Sequence, residues 1–476
     1  MEVFGSVKVR WLALLLLAAG AILILAASLP AIAQGGFLDE SAPNHPWDQQ
    51  VRDNTRSLID QGRQTFRYDT FGSETFFGNT IGLHQAIEGS KFPGGVGGGV
   101  SPATALKLGL KVDMDALPAP VVQAVQAGQV NLNDPAVTLT LLQLGAVVGV
   151  QGIFNDPNDT SKGLKAVGIT CALCHSTVDD AFAPGIGHRL DGWANQDLNV
   201  GGIVAAAPNL QPVADLLNKG LPPDGQVDVP TVVTVLNSWG PGRFDAELFL
   251  DGKAFGPGMS NASTLIPDAF GLAGVNAHTW TGNWGTVTYW NAFVANLEMH
   301  GTPGNFFDTR LDDKTKYPVA AAIRDGHVQS PPGEDRISPK LPALQYYQLS
   351  MPTPKPVAGK DFNAEAAARG QVIFNGRGQC ATCHVPPTFS EPGWNLHAPA
   401  DIGLDDASGR FEADRSPDGK YVTAPLAGRL FKRTRGFFHD GRFATLMDVV
   451  NHFDSFMKLG LSDADKSDLV EYLKSI

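Results

Sequence analysis

Four cysteines carry the clearest chemistry in this chain, and all fall in two copies of one pattern: Cys171-Ala-Leu-Cys174-His175 and Cys380-Ala-Thr-Cys383-His384. Cysteines three positions apart lie on one face of a helical turn, where both thiols can bond to the two vinyl groups of one porphyrin. The histidine one step further then stands near the iron and supplies an axial imidazole. C-x-x-C-H is the attachment signature of c-type haem. The spacing therefore predicts two covalent haems c, attached through Cys171, Cys174, Cys380 and Cys383, with His175 and His384 on the irons. A zinc site built from two C-x-x-C pairs separates them by about 15–20 residues, whereas these pairs lie in different halves of the chain. A redox C-x-x-C needs no histidine after both copies. Structural disulfides suit exported proteins, yet the two motifs leave no cysteine to form one.

Haem of this type implies export, and the N-terminus agrees. Lys8 and Arg10 precede an apolar run from Trp11 to Leu29, then Pro30 and the small-x-small site Ala31-Ile32-Ala33. This is the pattern of a secretory signal cleaved after Ala33. The alternative is an uncleaved membrane anchor, because the run is long. Cleavage would remove Glu2, Lys8 and Arg10 and leave the chain more acidic than its formal −12. That charge excludes the basic surface expected of a nucleic-acid binder. A second uncharged stretch, Pro135 to Phe154, contains Thr138, Thr140, Gln143, Gln151 and three glycines. It reads as a buried helix capped by Asp134, not as a membrane span. The protein is expected in the periplasm.

The positioning elements come next. With 53 glycines and 33 prolines among 476 residues, the chain is rich in loops, while its apolar content is too high for disorder. Two large apolar rings would replace part of the side-chain core and let such loops wrap them. Residues 34–110 form an N-terminal extension whose glycines at 94, 95, 97, 98 and 99 read as a flexible loop, not a phosphate cradle. A first haem c lobe covers 111–329. Seven prolines between Ser330 and Lys360 mark an irregular linker, and a second haem c lobe covers 361–476. There Asn363 caps a helix, Thr445 and Asp448 form a capping box ahead of a stripe of Leu446, Val449, Val450 and Phe453, and Ser462 opens the last helix. The expected fold is mainly α, with two cytochrome-c-like lobes.

By its two haem motifs and its C-terminal sequence, the chain resembles the bacterial di-haem cytochrome c peroxidase superfamily, including relatives of the methylamine-utilisation protein. The likeness is clearest in the C-terminal lobe: Arg369-Gly370 before the second motif, Phe438-His439-Asp440-Gly441-Arg442, Leu446 to Phe453, and the closing Tyr472-Leu473-Lys474. In the N-terminal lobe, Ile186-Gly187-His188 is similar to the segment carrying the family's distal histidine. Trp280-Thr-Gly282 is similar to the segment with a tryptophan between the haems. Ala295-Asn296-Leu297-Glu298-Met299 is similar to the segment bearing the acid–base glutamate. The resemblance thus implies His188 as an axial ligand, and Trp280 and Glu298 as catalytic residues. His84, Met299 and His300 are rival ligands for the first iron. Where the small peroxidases have a methionine ligand, this chain reads Phe453, which cannot bind iron. Met457, one helical turn on, is the replacement candidate, and Met447 a weaker one. Some relatives hold a calcium ion between the lobes, for which this sequence carries no signature.

The function implied is a peroxidase-like oxidoreductase. Electrons would come from a small soluble donor such as a cytochrome c or cupredoxin, enter at the C-terminal haem and pass to the N-terminal one, where peroxide reacts. The acid surplus favours a basic or neutral partner. The alternatives are a non-catalytic electron carrier, and an oxygenase or oxidase of the same superfamily acting on an organic or protein substrate.

Overall fold

The structure is a computed structural model that describes residues 46–255, 263–405 and 412–476; the signal segment 1–33 lies outside these. The chain falls into two compact units, Met1–Ser57 and Leu58–Ile476. The described part of the first unit is helical, and both cysteine motifs lie in the second. About 44% of residues are helical and 10% are in strands, so the fold is helix-rich as expected. Among the described residues no helix is long and apolar enough to cross a membrane.

Helices begin where short polar side chains can satisfy the otherwise unpaired first amides. Asp134, Asp228, Thr286 and Asn363 accept from the amides of Ala136, Thr231, Tyr289 and Ala366. Thr445 with Asp448, and Ser462 with Asp465, form reciprocal capping boxes that open Leu446–Met457 and Asp463–Ser475. The strands are short and pair in six two-stranded ladders among the described residues.

The cores separate along the chain. One large cluster, from Phe76 to Ile323, contains Leu139, Leu198, Val232 and Leu236, with Cys174 packed against it. A second contains Phe66, Phe71, Met299, Leu344 and Tyr347, with Cys171 against it. A third draws only on residues 362–476: Phe374, Leu446, Val450, Leu469 and Tyr472, with Cys380 against it. In that third core, helix Ala364–Asn375 meets helix Asp463–Ser475 at Gly370, where a Cβ would stand 2.0 Å from the Asp468 carbonyl oxygen. Arg369 then clasps both Asp468 carboxylate oxygens at 2.7 Å. Arginine and glycine at 369–370 are thus a packing pair, the glycine allowing the approach that the arginine secures. Trp280 belongs to a small cluster of its own with Ile402, Leu404, Tyr421 and Phe438.

Three expectations are corrected. The proline-rich segment 330–360 is not irregular throughout: Leu341–Ser350 is a helix that places Pro342 in its first turn, where a missing amide costs nothing. The stretch 135–154 is helical only over Pro135–Gln143 and then pairs as strand Val150–Phe154 with Leu164–Ile169. The glycine-rich loop is tied down, with Ser90 N–H donating to Gly97 O and Val100 N–H to Ile87 O.

Candidate functional site

Each motif forms a single tight turn. Cys171 occupies the N-cap position of the one-turn helix Ala172–His175, and Cys380–Thr382 is a turn of 3₁₀ helix. The first turn sits hard against Gly149, at φ +77°, where a Cβ would stand 2.1 Å from the Leu173 nitrogen. None of the four cysteines is in a disulfide, and all are partly exposed. Burial pushes Cys171 and Cys174 up to about 12 and Cys380 up to about 11, so these are neutral thiols rather than thiolate nucleophiles.

The two histidines share one geometry. His175 Nδ1 lies 3.1 Å from the carbonyl oxygen of Pro267, and His384 Nδ1 lies 2.8 Å from that of Phe389. A carbonyl only accepts, so each Nδ1 carries the proton and each Nε2 keeps a free lone pair, the tautomer an iron ligand needs. Burial holds both imidazoles below the usual histidine range, which keeps the lone pair available. The thiols, the spacing and the tautomer all fit a covalently attached haem at each motif.

Around the first motif the structure gathers acids. Glu298 ends the π-helical turn Val294–Glu298, a distortion that re-aims side chains and recurs at functional sites. Its carboxylate is within electrostatic reach of Cys174. Burial, reinforced by Glu247, Asp245 and Asp325, pushes Glu298 well above the usual carboxylate range. Glu247 rises to about 7 by burial, although Arg415 pulls it down, and accepts the Trp284 Nε1–H at 3.2 Å. Arg415, fully buried, clasps Asp251 through Nε and NH2 at 2.8 and 2.9 Å and stands 2.9 Å from Asp245. None of Asp245, Glu247, Asp251 or Arg415 was singled out from the sequence. The signal was there: acids flank the apolar run Leu248-Phe249-Leu250 and so had to be carried inside.

The structure disperses the remaining sequence candidates. Trp280 donates its Nε1–H to Leu265 O at 2.7 Å, and the Arg433 guanidinium lies over its ring at 5.3 Å. His188 is at the surface, its Nδ1 2.9 Å from Asp179 and its Nε2 3.8 Å from Asp115. The strand register pairs Ser176 with Asp191 and Val178 with Arg189, which sets His188 opposite Asp179, four residues along from His175, or about 13 Å at 3.3 Å per residue. Met457 lies on the face of Leu446, Val450 and Phe453 but is 40% exposed. Met299 is buried in the same core that receives Cys171. His300, at φ +51°, stacks on Phe76 with ring centres 3.8 Å apart, and its buried Nε2 has no partner among the described residues. His84 likewise keeps a buried Nδ1 without a partner among the described residues. Met447 is half-buried on the opposite flank of its helix.

Around the second motif a different set meets. Glu391 accepts from His397 Nε2 at 2.6 Å, from Asn395 at 2.6 Å and from the Thr423 hydroxyl. Cys383, Glu391 and His397 bring ligand atoms within 4.8 Å of one another, an arrangement that could also hold a metal ion while the Cys383 thiol is free. Nothing periodic in 391–423 announced this network, because a loop reversal assembles it.

No protein-family model and no curated protein matches this chain. Among solved structures, hydrazine synthase from Kuenenia stuttgartiensis, studied under xenon pressure, is similar over 45% of this chain and 73% of that one, at 18% identity and a TM-score of 0.26. A likeness that slight carries no argument about activity.

Proposed function

We propose that this protein is an exported di-haem c-type cytochrome with peroxidase-like oxidoreductase activity, in which the C-terminal motif receives electrons and the N-terminal motif is the reaction site. The observation that carries the reading is the shared geometry of the two C-x-x-C-H turns, each with its histidine Nδ1 tied to a backbone carbonyl. Cys171 and Cys174 would hold one haem under His175, and Cys380 and Cys383 the other under His384. The bound iron supplies electron exchange and, at the first motif, a position for peroxide. The chain's own residues do the rest. Glu298, whose carboxyl holds its proton more tightly because of burial and neighbouring acids, would give a proton to the departing oxygen, the role a raised carboxyl suits. Arg429 and Arg433 lie with Asp268 as the acid in reach, and this surplus of positive charge suits the carboxylates a porphyrin carries. Trp280 lies between the segment that holds His175 and the segment around Tyr421.

The test is direct. Intact mass and a haem absorption assay should show two covalent haems, and the protein should consume hydrogen peroxide with reduced cytochrome c. Glu298→Gln should lower kcat by about 10²- to 10⁴-fold while haem content is retained. A protein that carries both haems yet shows no peroxide turnover and only low-spin absorption is an electron carrier instead. If Cys383 proves free and zinc binds with Glu391 and His397, the C-terminal half of the reading fails.

A further inference from the structure

Residues 102–141, with Phe182 and Ile186, enclose an apolar hollow of about 350 Å³ that no residue of either C-x-x-C-H motif lines. Leu106, Val112, Leu132, Leu141, Phe182 and Ile186 form its floor and walls, and the strand pairing of Val112 with Ile186 joins the two sides. Its cover is helix Ala119–Gln126, which contributes Val121, Val122 and Val125 to the lining and buries none of its residues. Those valines are half-exposed because they face a space rather than a core. A narrower hollow of about 40 Å³ shares Val112 and Leu141 with the first and continues to Val147 and Val150. These two bracket Gly149, on which Leu173 of the first motif rests.

What fills this hollow follows from its lining. Among the described residues no charged side chain lines it, and its one hydroxyl, that of Thr140, already donates to the Ala136 carbonyl at 3.2 Å. A water molecule needs about two to four polar partners to stay in a cavity, and these walls do not offer them. A peptide segment would bring amides and carbonyls that the same walls leave unsatisfied. Left empty, the hollow would cost stability in proportion to its volume, because the lining atoms forgo contacts. An apolar cavity of roughly 150 Å³ takes up benzene, and ligand pockets begin at about 300 Å³. The space therefore suits an apolar molecule larger than benzene.

We propose that this hollow is a binding site for an uncharged apolar small molecule, held by contact and desolvation alone, with helix Ala119–Gln126 as its lid. The driving force is the removal of apolar surface from water on both partners. Pro118 and Gly128 bound the lid helix, and no side chain caps its first turn. Moving it therefore breaks little local structure. The site uses none of the thiols, imidazoles or acids gathered at the two motifs, so it stands independently of the di-haem function.

The experiment uses the full protein as purified, with its haem content measured by intact mass. Calorimetric titration with 1-octanol should give a saturable heat for one molecule per chain, and octanol should raise the melting temperature. Leu141→Trp fills the hollow from its floor and Val125→Trp from its lid. Each should lose that heat and that rise while keeping the wild-type haem content. Val125 is half-exposed, so its variant keeps the test open should Leu141→Trp fail to fold. Sedimentation with phosphatidylcholine vesicles separates two sources of such a ligand. Octanol binding without vesicle association marks a free molecule, and association lost in Val125→Trp marks a lipid tail. The absence of a saturable heat in the wild type overturns the proposal, and so does equal octanol binding by the wild type and Val125→Trp. Haem content is read separately, so a failure of the di-haem function leaves this result intact.

Discussion

Around Cys171, Cys174 and His175 the neighbouring acids are pushed towards their protonated forms, the half-buried Glu298 above all. Around Cys380, Cys383 and His384 the neighbouring acid, Glu391, is held below the usual range by Thr423, His397 and Asn395. Exposure follows the same division, for Thr382, Val385, Pro386 and Pro387 are all at the surface. One turn of chain, repeated, has therefore been set in two electrostatic environments. An acid that holds its proton beside the first motif suits proton delivery to a substrate. An ionised acid near the surface suits neither proton delivery nor a closed pocket, but leaves the second motif open to a partner. What separates the two sites is burial and company, not the motif.

That contrast can be broken in order of effect. The largest change is expected from the cysteines. Cys171→Ala/Cys174→Ala should remove one covalent haem and the peroxide reaction together. Cys380→Ala/Cys383→Ala should remove the other and leave the first site without electrons from a reduced donor, as read by intact mass and stopped-flow absorption. Equal behaviour of the two double variants would remove the division of labour. Next is Arg415→Met, which strips the buried carboxylates of Asp251 and Asp245 of their partner. It should destabilise the protein by about 3–5 kcal/mol, seen in denaturant unfolding.

A pH test sharpens the same point. Burial raises Asp325 from 3.8 to about 7. The folded state therefore holds this proton more tightly than the unfolded state does. The stability associated with it is full below pH 4 and is lost as pH rises through about 7. Asp325→Asn should flatten that part of the stability–pH curve in thermal melts across pH 4 to 8. The smallest effect belongs to the second lobe. Thr445→Ala removes a capping box and should cost about 1 kcal/mol, leaving the acid-rich environment of the first motif untouched.

Much of the C-terminal region was legible in advance. Asn363, Thr445 and Ser462 cap the helices they announce, because capping is a local interaction between a side chain and amides two or three residues away. The linker was misread because proline density counts residues without asking which fall at a helix start. The acid cluster was missed for another reason. Asp245, Glu247 and Asp251 meet Arg415 and Glu298 only when segments far apart in sequence are folded together.

The sequence by itself determined the pair of C-x-x-C-H motifs, the helix starts and the acidic charge, since spacing, capping and composition are local properties of the chain. Only the tertiary structure decided which nitrogen of His175 and His384 is engaged, that Glu298 is pressed among other acids, and that Arg433 covers Trp280. Protonation state and tautomer depend on burial and on partners supplied by other segments. No spacing along the chain encodes those.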